Sequence, residues 1–142
     1  MGMRSALACG ALAWLASAAV VLAQSPSRTV WDGAYTTEQA ARGAPLYAAN
    51  CAQCHGPALS GADGPALSGV EFAGNWNGLT LGDLFERIRT TMPADDPAKI
   101  GLQEKVDILA FMLRTSEFPA GMTELPKDAQ VLMQIRYLST KP

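Results

Sequence analysis

Two of the three cysteines and the single histidine of this 142-residue chain stand together in Cys51-Ala52-Gln53-Cys54-His55. Residues three and four apart share one face of a helix, so a helical turn here aims both sulfurs and the imidazole the same way. C-x-x-C-H is the spacing at which haem is attached to a polypeptide. Each thiol forms a thioether with one vinyl group of the porphyrin, and His55 offers an imidazole nitrogen to the iron. No other feature constrains the fold as much, because a flat apolar cofactor tethered in a small chain has to become part of its core.

Other uses of this pattern fit less well. Tetrahedral structural zinc wants four Cys or His ligands, and beyond the motif only Cys9 remains, near the start of the chain. A thioredoxin-like dithiol belongs beside a βαβ pattern, and no run of residues here reads as a strand with clear alternation. Haem attachment through Cys51 and Cys54, with His55 on the iron, is the reading that the residues favour.

Residues 1–23 have the parts of a secretory signal: Arg4 in a short basic start, an apolar run from Ala6 to Leu22, and Val21 and Ala23 before Gln24. Cleavage after Ala23 is the simplest reading, with an uncleaved membrane anchor as the alternative. Cys9 lies early in the apolar run and is discarded with it. The remaining 119 residues (142 less 23) are one small domain by length. Of eleven basic and thirteen acidic residues in the chain, Arg4 is the one charge in the signal, so the remainder carries a net −3. That surface disfavours nucleic acid as a partner.

Residues 24–34 are polar and turn-rich and read as a linker or surface arm, with Trp31 and Tyr35 pinning it to the domain or meeting a partner. Thr36-x-x-Gln39 has the form of a capping box and opens a helix towards Cys51, with Ala40, Gly43, Leu46 and Tyr47 on one face. Pro45 implies a kink, or a helix that starts near it. Residues 56–78 hold eight glycines and prolines and read as a long loop around a cofactor edge. Thr80-x-x-Asp83 is a weaker cap before Leu81, Leu84, Phe85 and Ile88, an amphipathic helix ending near Thr90. A second apolar helix runs from about Leu102 to Arg114, and a short one is expected within Asp128–Tyr137.

With His55 the only histidine, two-histidine ligation within one chain is impossible, and methionine is the usual second ligand. Met112 lies in an apolar helix where a gap-filling role fits better; Met122 sits in a turn and Met133 on a weak terminal helix. Met92 follows a helix end and precedes Pro93, which biases it towards extended backbone. It is the preferred candidate; an open sixth site is the alternative.

Cys51-Ala52-Gln53-Cys54-His55-Gly56, Gly64-Pro65-Ala66-Leu67, Thr91-Met92-Pro93 and Val106-Asp107-Ile108-Leu109-Ala110-Phe111 together resemble a class I, monohaem cytochrome c of the bacterial periplasm. The resemblance implies an all-α fold of three to five helices wrapped around one covalently bound haem c. It implies that Pro65 offers its backbone carbonyl to the far nitrogen of His55, and that Trp76, with Asn75 as helper, lies near a haem propionate. It also implies that Gly43 and Tyr47 meet Ile108 and Phe111 where the first and last helices cross. Gly101 departs from the pattern, standing where Ser or Thr would cap a helix. The expected organisation is a signal (1–23), an N-terminal arm (24–35), a cytochrome domain (36–115) and a C-terminal extension packing on it (116–142).

More narrowly, Trp31-Asp32-Gly33-Ala34-Tyr35 and Phe118-Pro119-Ala120-Gly121 are similar to segments of small cytochromes that accompany quinoprotein (PQQ-dependent) dehydrogenases. The implied role is a periplasmic one-electron carrier rather than an enzyme, taking electrons from a quinoprotein or other dehydrogenase and passing them to an oxidase or another cytochrome. Two other readings stay open: a permanent cytochrome subunit of a multi-subunit dehydrogenase, and a ligand-binding or peroxidatic haem protein with an open distal site.

Overall fold

The computed structural model describes residues 28–142. The signal, its cleavage site and Cys9 lie outside the described residues. The chain is mostly helical: α1 (Thr37–Asn50), α2 (Ala52–His55), α3 (Gly69–Trp76), α4 (Leu81–Thr91), α5 (Leu102–Thr115) and α6 (Ala129–Leu132). Among the described residues, six α-helical segments exceed the expected three to five because α2 and α6 are single turns, short enough to hide in loop-like sequence. No described helix is long and apolar enough to cross a membrane.

The packing centre is the pair α1 and α5, which share the most extensive helix–helix interface. Gly43 makes it possible: a Cβ there would lie 2.5 Å from the carbonyl carbon of Asp107 and 3.0 Å from the Ile108 amide nitrogen, inside normal contact distances. One turn on, the Tyr47 and Phe111 rings meet with centroids 5.2 Å apart. On α5, Val106, Ile108, Leu109, Ala110, Met112 and Leu113 are all buried, as their spacing predicts. Arg42 on α1 forks onto the buried Asp107 carboxylate through Nε at 3.1 Å and Nη2 at 3.2 Å, which ties the same crossing electrostatically.

The caps follow from sequence with two differences. Thr36 Oγ1 accepts from the Gln39 amide at 3.1 Å, but the Gln39 side chain does not reach back to close the box. It is fully buried and instead pairs with Leu125, donating from Nε2 to the Leu125 carbonyl at 3.0 Å and accepting from its amide at 2.8 Å. Two buried backbone groups of the extension need partners, and Gln39 supplies both. At Gly101 the missing cap hydroxyl is offset by Glu104, whose carboxylate accepts from the Gly101 amide at 2.6 Å. Thr80 and Asp83 close a full capping box before α4.

Pro45 does not delay α1, which begins at Thr37 and continues through it. Pro45 and Ala41 are both exposed, so the carbonyl left without an amide partner is open to water. Residues 56–78 are not all loop, since α3 occupies Gly69–Trp76. Its Phe72 and Trp76, four apart, stack with centroids 6.0 Å apart on one face; the glycines at 69, 74 and 78 masked that short period.

Residues 28–35 form an ordered layer with 118–138 rather than a solvated arm. A two-residue parallel pair joins β1 (Arg28–Thr29) to β2 (Ile135–Arg136), a strand that the sequence did not announce. Val30 and Ala34 are buried, the Trp31 indole donates to the Leu138 carbonyl at 2.9 Å, and the Tyr35 hydroxyl donates to the Phe118 carbonyl at 2.7 Å.

Candidate cofactor site

The C-x-x-C-H turn is set by a break between α1 and α2. Cys51 takes φ −127°, its amide still bonded to the Tyr47 carbonyl at 2.9 Å, while its own carbonyl accepts from Cys54 at 3.2 Å and His55 at 2.9 Å. One turn therefore carries Cys51, Cys54 and His55, and Gly56 at φ 76° ends it. No disulfide joins the two cysteines; Cys51 is half-buried and Cys54 exposed. Burial pushes the Cys51 thiol up to about 11, with the Cys54 charge adding to it.

The loop after the turn is folded back onto His55. Tyr47 donates its hydroxyl to the Gly56 carbonyl at 2.6 Å, and burial raises that phenol to about 12. The Gly61 amide bonds to the His55 carbonyl at 2.9 Å and the Gly64 amide to the Cys54 carbonyl at 2.7 Å. A Cβ on Gly64 would sit 3.1 Å from both Cε1 and Nδ1 of the imidazole, so a larger residue here would push the ring or the loop by a few tenths of an ångström. Leu59, fully buried at φ 59°, holds the loop together by accepting from the Leu67 amide at 2.8 Å and the Ser68 hydroxyl at 3.3 Å.

The result is one decisive contact. His55 is 8% exposed, and its Nδ1 lies 2.7 Å from the Pro65 carbonyl. A carbonyl only accepts, so Nδ1 carries the proton, and in the neutral ring Nε2 keeps its lone pair. No hydrogen bond occupies Nε2, yet no side-chain polar atom is both buried and unpaired among the described residues. Nε2 is therefore unpaired without being sealed off, as suits a metal ligand whose other nitrogen is oriented by a carbonyl. Two free thiols and this imidazole on one turn fit a haem.

Met92 follows α4 in extended backbone (φ −126°, ψ 141°) and is half-buried. Among the other described methionines, Met112 is enclosed in the α5 core, Met122 is 98% exposed, and Met133 packs beside Gly82 of α4. Trp76 is half-buried against Phe72 at the end of α3. Asn75 is exposed; its neighbour Asn77 is the side chain with bonds, accepting from the Ser139 amide at 2.9 Å. A groove of about 610 Å³ between α3 and the end of α5 is lined by Val70, Ala73, Glu117, Phe118 and Tyr137, and by none of Cys51, Cys54, His55 or Met92.

The family model described as cytochrome C oxidase, cbb3-type, subunit III matches residues 38–112, from the first turn of α1 to the last of α5. The chain belongs to this family of c-type cytochrome domains. No curated protein and no solved structure matches the chain. As a cytochrome c domain it binds haem and carries electrons to and from redox proteins; it is not an enzyme. Sequence reasoning had no signal for Leu59 or for the hydroxyl of Tyr47 as holders of the haem-side loop, since neither residue type implies such a role.

Proposed function

We propose that the chain is an exported, periplasmic one-electron carrier with one haem c, held by thioethers at Cys51 and Cys54 and ligated by His55 Nε2 and the Met92 sulfur. The observation that carries this is the 2.7 Å contact between His55 Nδ1 and the Pro65 carbonyl, which fixes the ring and frees Nε2. Haem supplies a reversible Fe(III)/Fe(II) couple, which thioether ligation and burial bias towards the less charged ferrous state. The Pro65 carbonyl makes the imidazole a better donor. Met92 suits the second position because an extended residue at a helix end projects from a fixed stem.

A quinoprotein or other periplasmic dehydrogenase is the proposed donor, and an oxidase or another cytochrome the acceptor. Support comes from the two segments that resemble quinoprotein-associated cytochromes, which pack as one unit: Trp31 and Phe118 meet edge to face at 4.9 Å, and Tyr35 bonds to Phe118. A fold does not identify its partners, so this part rests on likeness.

The test is expression in a host competent for cytochrome maturation. Covalent haem is read from mass and absorbance, and thioether ligation from the weak far-red band of ferric haem. Met92→Ala is expected to abolish that band with haem still attached, and Met122→Ala to leave it. Colourless protein with both thiols free, or loss of the band in Met122→Ala instead, would overturn the assignment. A second reading, a permanent subunit of a larger complex, is favoured by the family description, which names an oxidase subunit. Constant-ratio co-purification with a larger redox subunit would select it over a free shuttle.

A further inference from the structure

Lys105 is buried, 2% exposed, on the first turns of α5. Its ammonium donates to two backbone carbonyls, Arg89 at 2.9 Å and Pro97 at 2.6 Å. Those two carbonyls bracket Met92: Arg89 lies three residues before it in the last turn of α4, and Pro97 five after it in the following turn. From the geometry we infer that Lys105 is the positioning residue for the Met92 sulfur, fastening both sides of its loop to α5; this rests on the ligand assignment above.

Three features make the fastening specific. The last carbonyls of a helix have no partner within it, and a cation there also meets the negative end of the helix dipole; Lys105 meets both needs at Arg89. The turn is otherwise held at its ends, where Pro93 and Ile100 are buried, while Ala94, Asp95, Asp96, Ala98 and Lys99 between them are exposed with only local bonds such as Ala98 to Asp96. Finally, α5 packs on α1, which leads directly into the attachment turn, so the loop and His55 are referred to one rigid pair. No carboxylate forms a salt bridge with Lys105 among the described residues, so its two carbonyl bonds are its attachment.

The test uses the matured, full-length holoprotein. Lys105→Met keeps the stem and removes the donors. With two charge-assisted bonds lost, carbon monoxide uptake by the ferrous protein is expected to quicken by about tenfold or more. The far-red ferric band should weaken and amides of residues 93–99 exchange faster, while far-ultraviolet dichroism is unchanged. Lys105→Arg, which retains charge and donors, should restore most of the band. Unchanged uptake and band in Lys105→Met, even with a lowered melting temperature, would show a merely structural lysine. If neither Lys105→Met nor Lys105→Gln accumulates folded, Lys105 determines the whole domain rather than one loop, and the inference falls. Met92→Ala measured in parallel separates the failures: a band surviving there sinks the ligand assignment, whereas a band lost there and untouched in Lys105→Met sinks this inference alone.

Discussion

Gly43→Ala and Gly74→Ala make the same chemical change in two helices and should move stability in opposite directions. At Gly43 the new methyl would stand 2.5 Å from the Asp107 carbonyl carbon, about 1 Å short of ordinary contact. The obstruction is backbone, so no side-chain rotation clears it, and α1 must retreat from α5. A gap of that size forfeits a quarter to a half of each contact across the crossing, including the Tyr47–Phe111 pair. Overpacking of this kind costs about 3 kcal/mol at the upper end of its usual range, and the better helix propensity of alanine returns about 1 kcal/mol. The expected net loss is therefore about 2 kcal/mol, a large part of the 5–15 kcal/mol typical of a domain. At Gly74, in α3, nothing lies within 4 Å of the added Cβ. Propensity alone then acts, and a gain of about 0.5–1 kcal/mol is expected. Guanidinium unfolding of the oxidised holoprotein, followed by dichroism and Soret absorbance, reads both as midpoint shifts at constant slope. A Gly43→Ala protein as stable as the parent, or equal losses at both sites, would refute the close-approach argument.

Gln39→Leu leaves the buried amide and carbonyl of Leu125 without partners, so a loss of about 2–4 kcal/mol is expected, with faster amide exchange across the C-terminal extension. Leu59 is buried in the left-handed region; Leu59→Ala and Leu59→Gly should each cost about 2–4 kcal/mol, and the glycine variant should be no worse than the alanine one because it sheds the backbone strain. Hydrogen bonds from the Thr29 amide and hydroxyl hold the Asp32 carboxyl below its ordinary value of 3.8. Its contribution is thus present above the ordinary carboxylate pKa and is lost as pH falls through the lowered one; Asp32→Asn should flatten the acid limb of the stability profile, measured as unfolding midpoint against pH.

The legible parts of this protein were those in which a few neighbouring residues complete a physical unit. C-x-x-C-H puts its three groups on one turn wherever that turn is placed. Thr80-x-x-Asp83 closes a cap within four residues, and the apolar spacing of 102–114 demands a buried helix. Where the resemblance supplied an expectation across distance, the chain places the same atoms together: Pro65 with His55, and Gly43 with α5. Reasoning failed where a local motif met a distant competitor. Gln39 looked like half of a capping box, but the buried backbone of Leu125 claims its amide. Residues 69–76 looked like loop because glycine lowers local helix propensity, yet Phe72 packs on Trp76 and, edge to face, on Tyr137 from the far end of the chain.

By itself, then, the order of residues determined the helical class and the single turn that carries Cys51, Cys54 and His55, because each depends on interactions within about one helical turn. Only the tertiary structure decided how the loop of 56–68 turns Nδ1 of His55 to Pro65, how Lys105 spans the two sides of Met92, and how 28–35 joins 118–138. Those contacts link residues from eight to more than a hundred positions apart. Their partners are mostly backbone carbonyls, which every residue carries and no sequence pattern distinguishes.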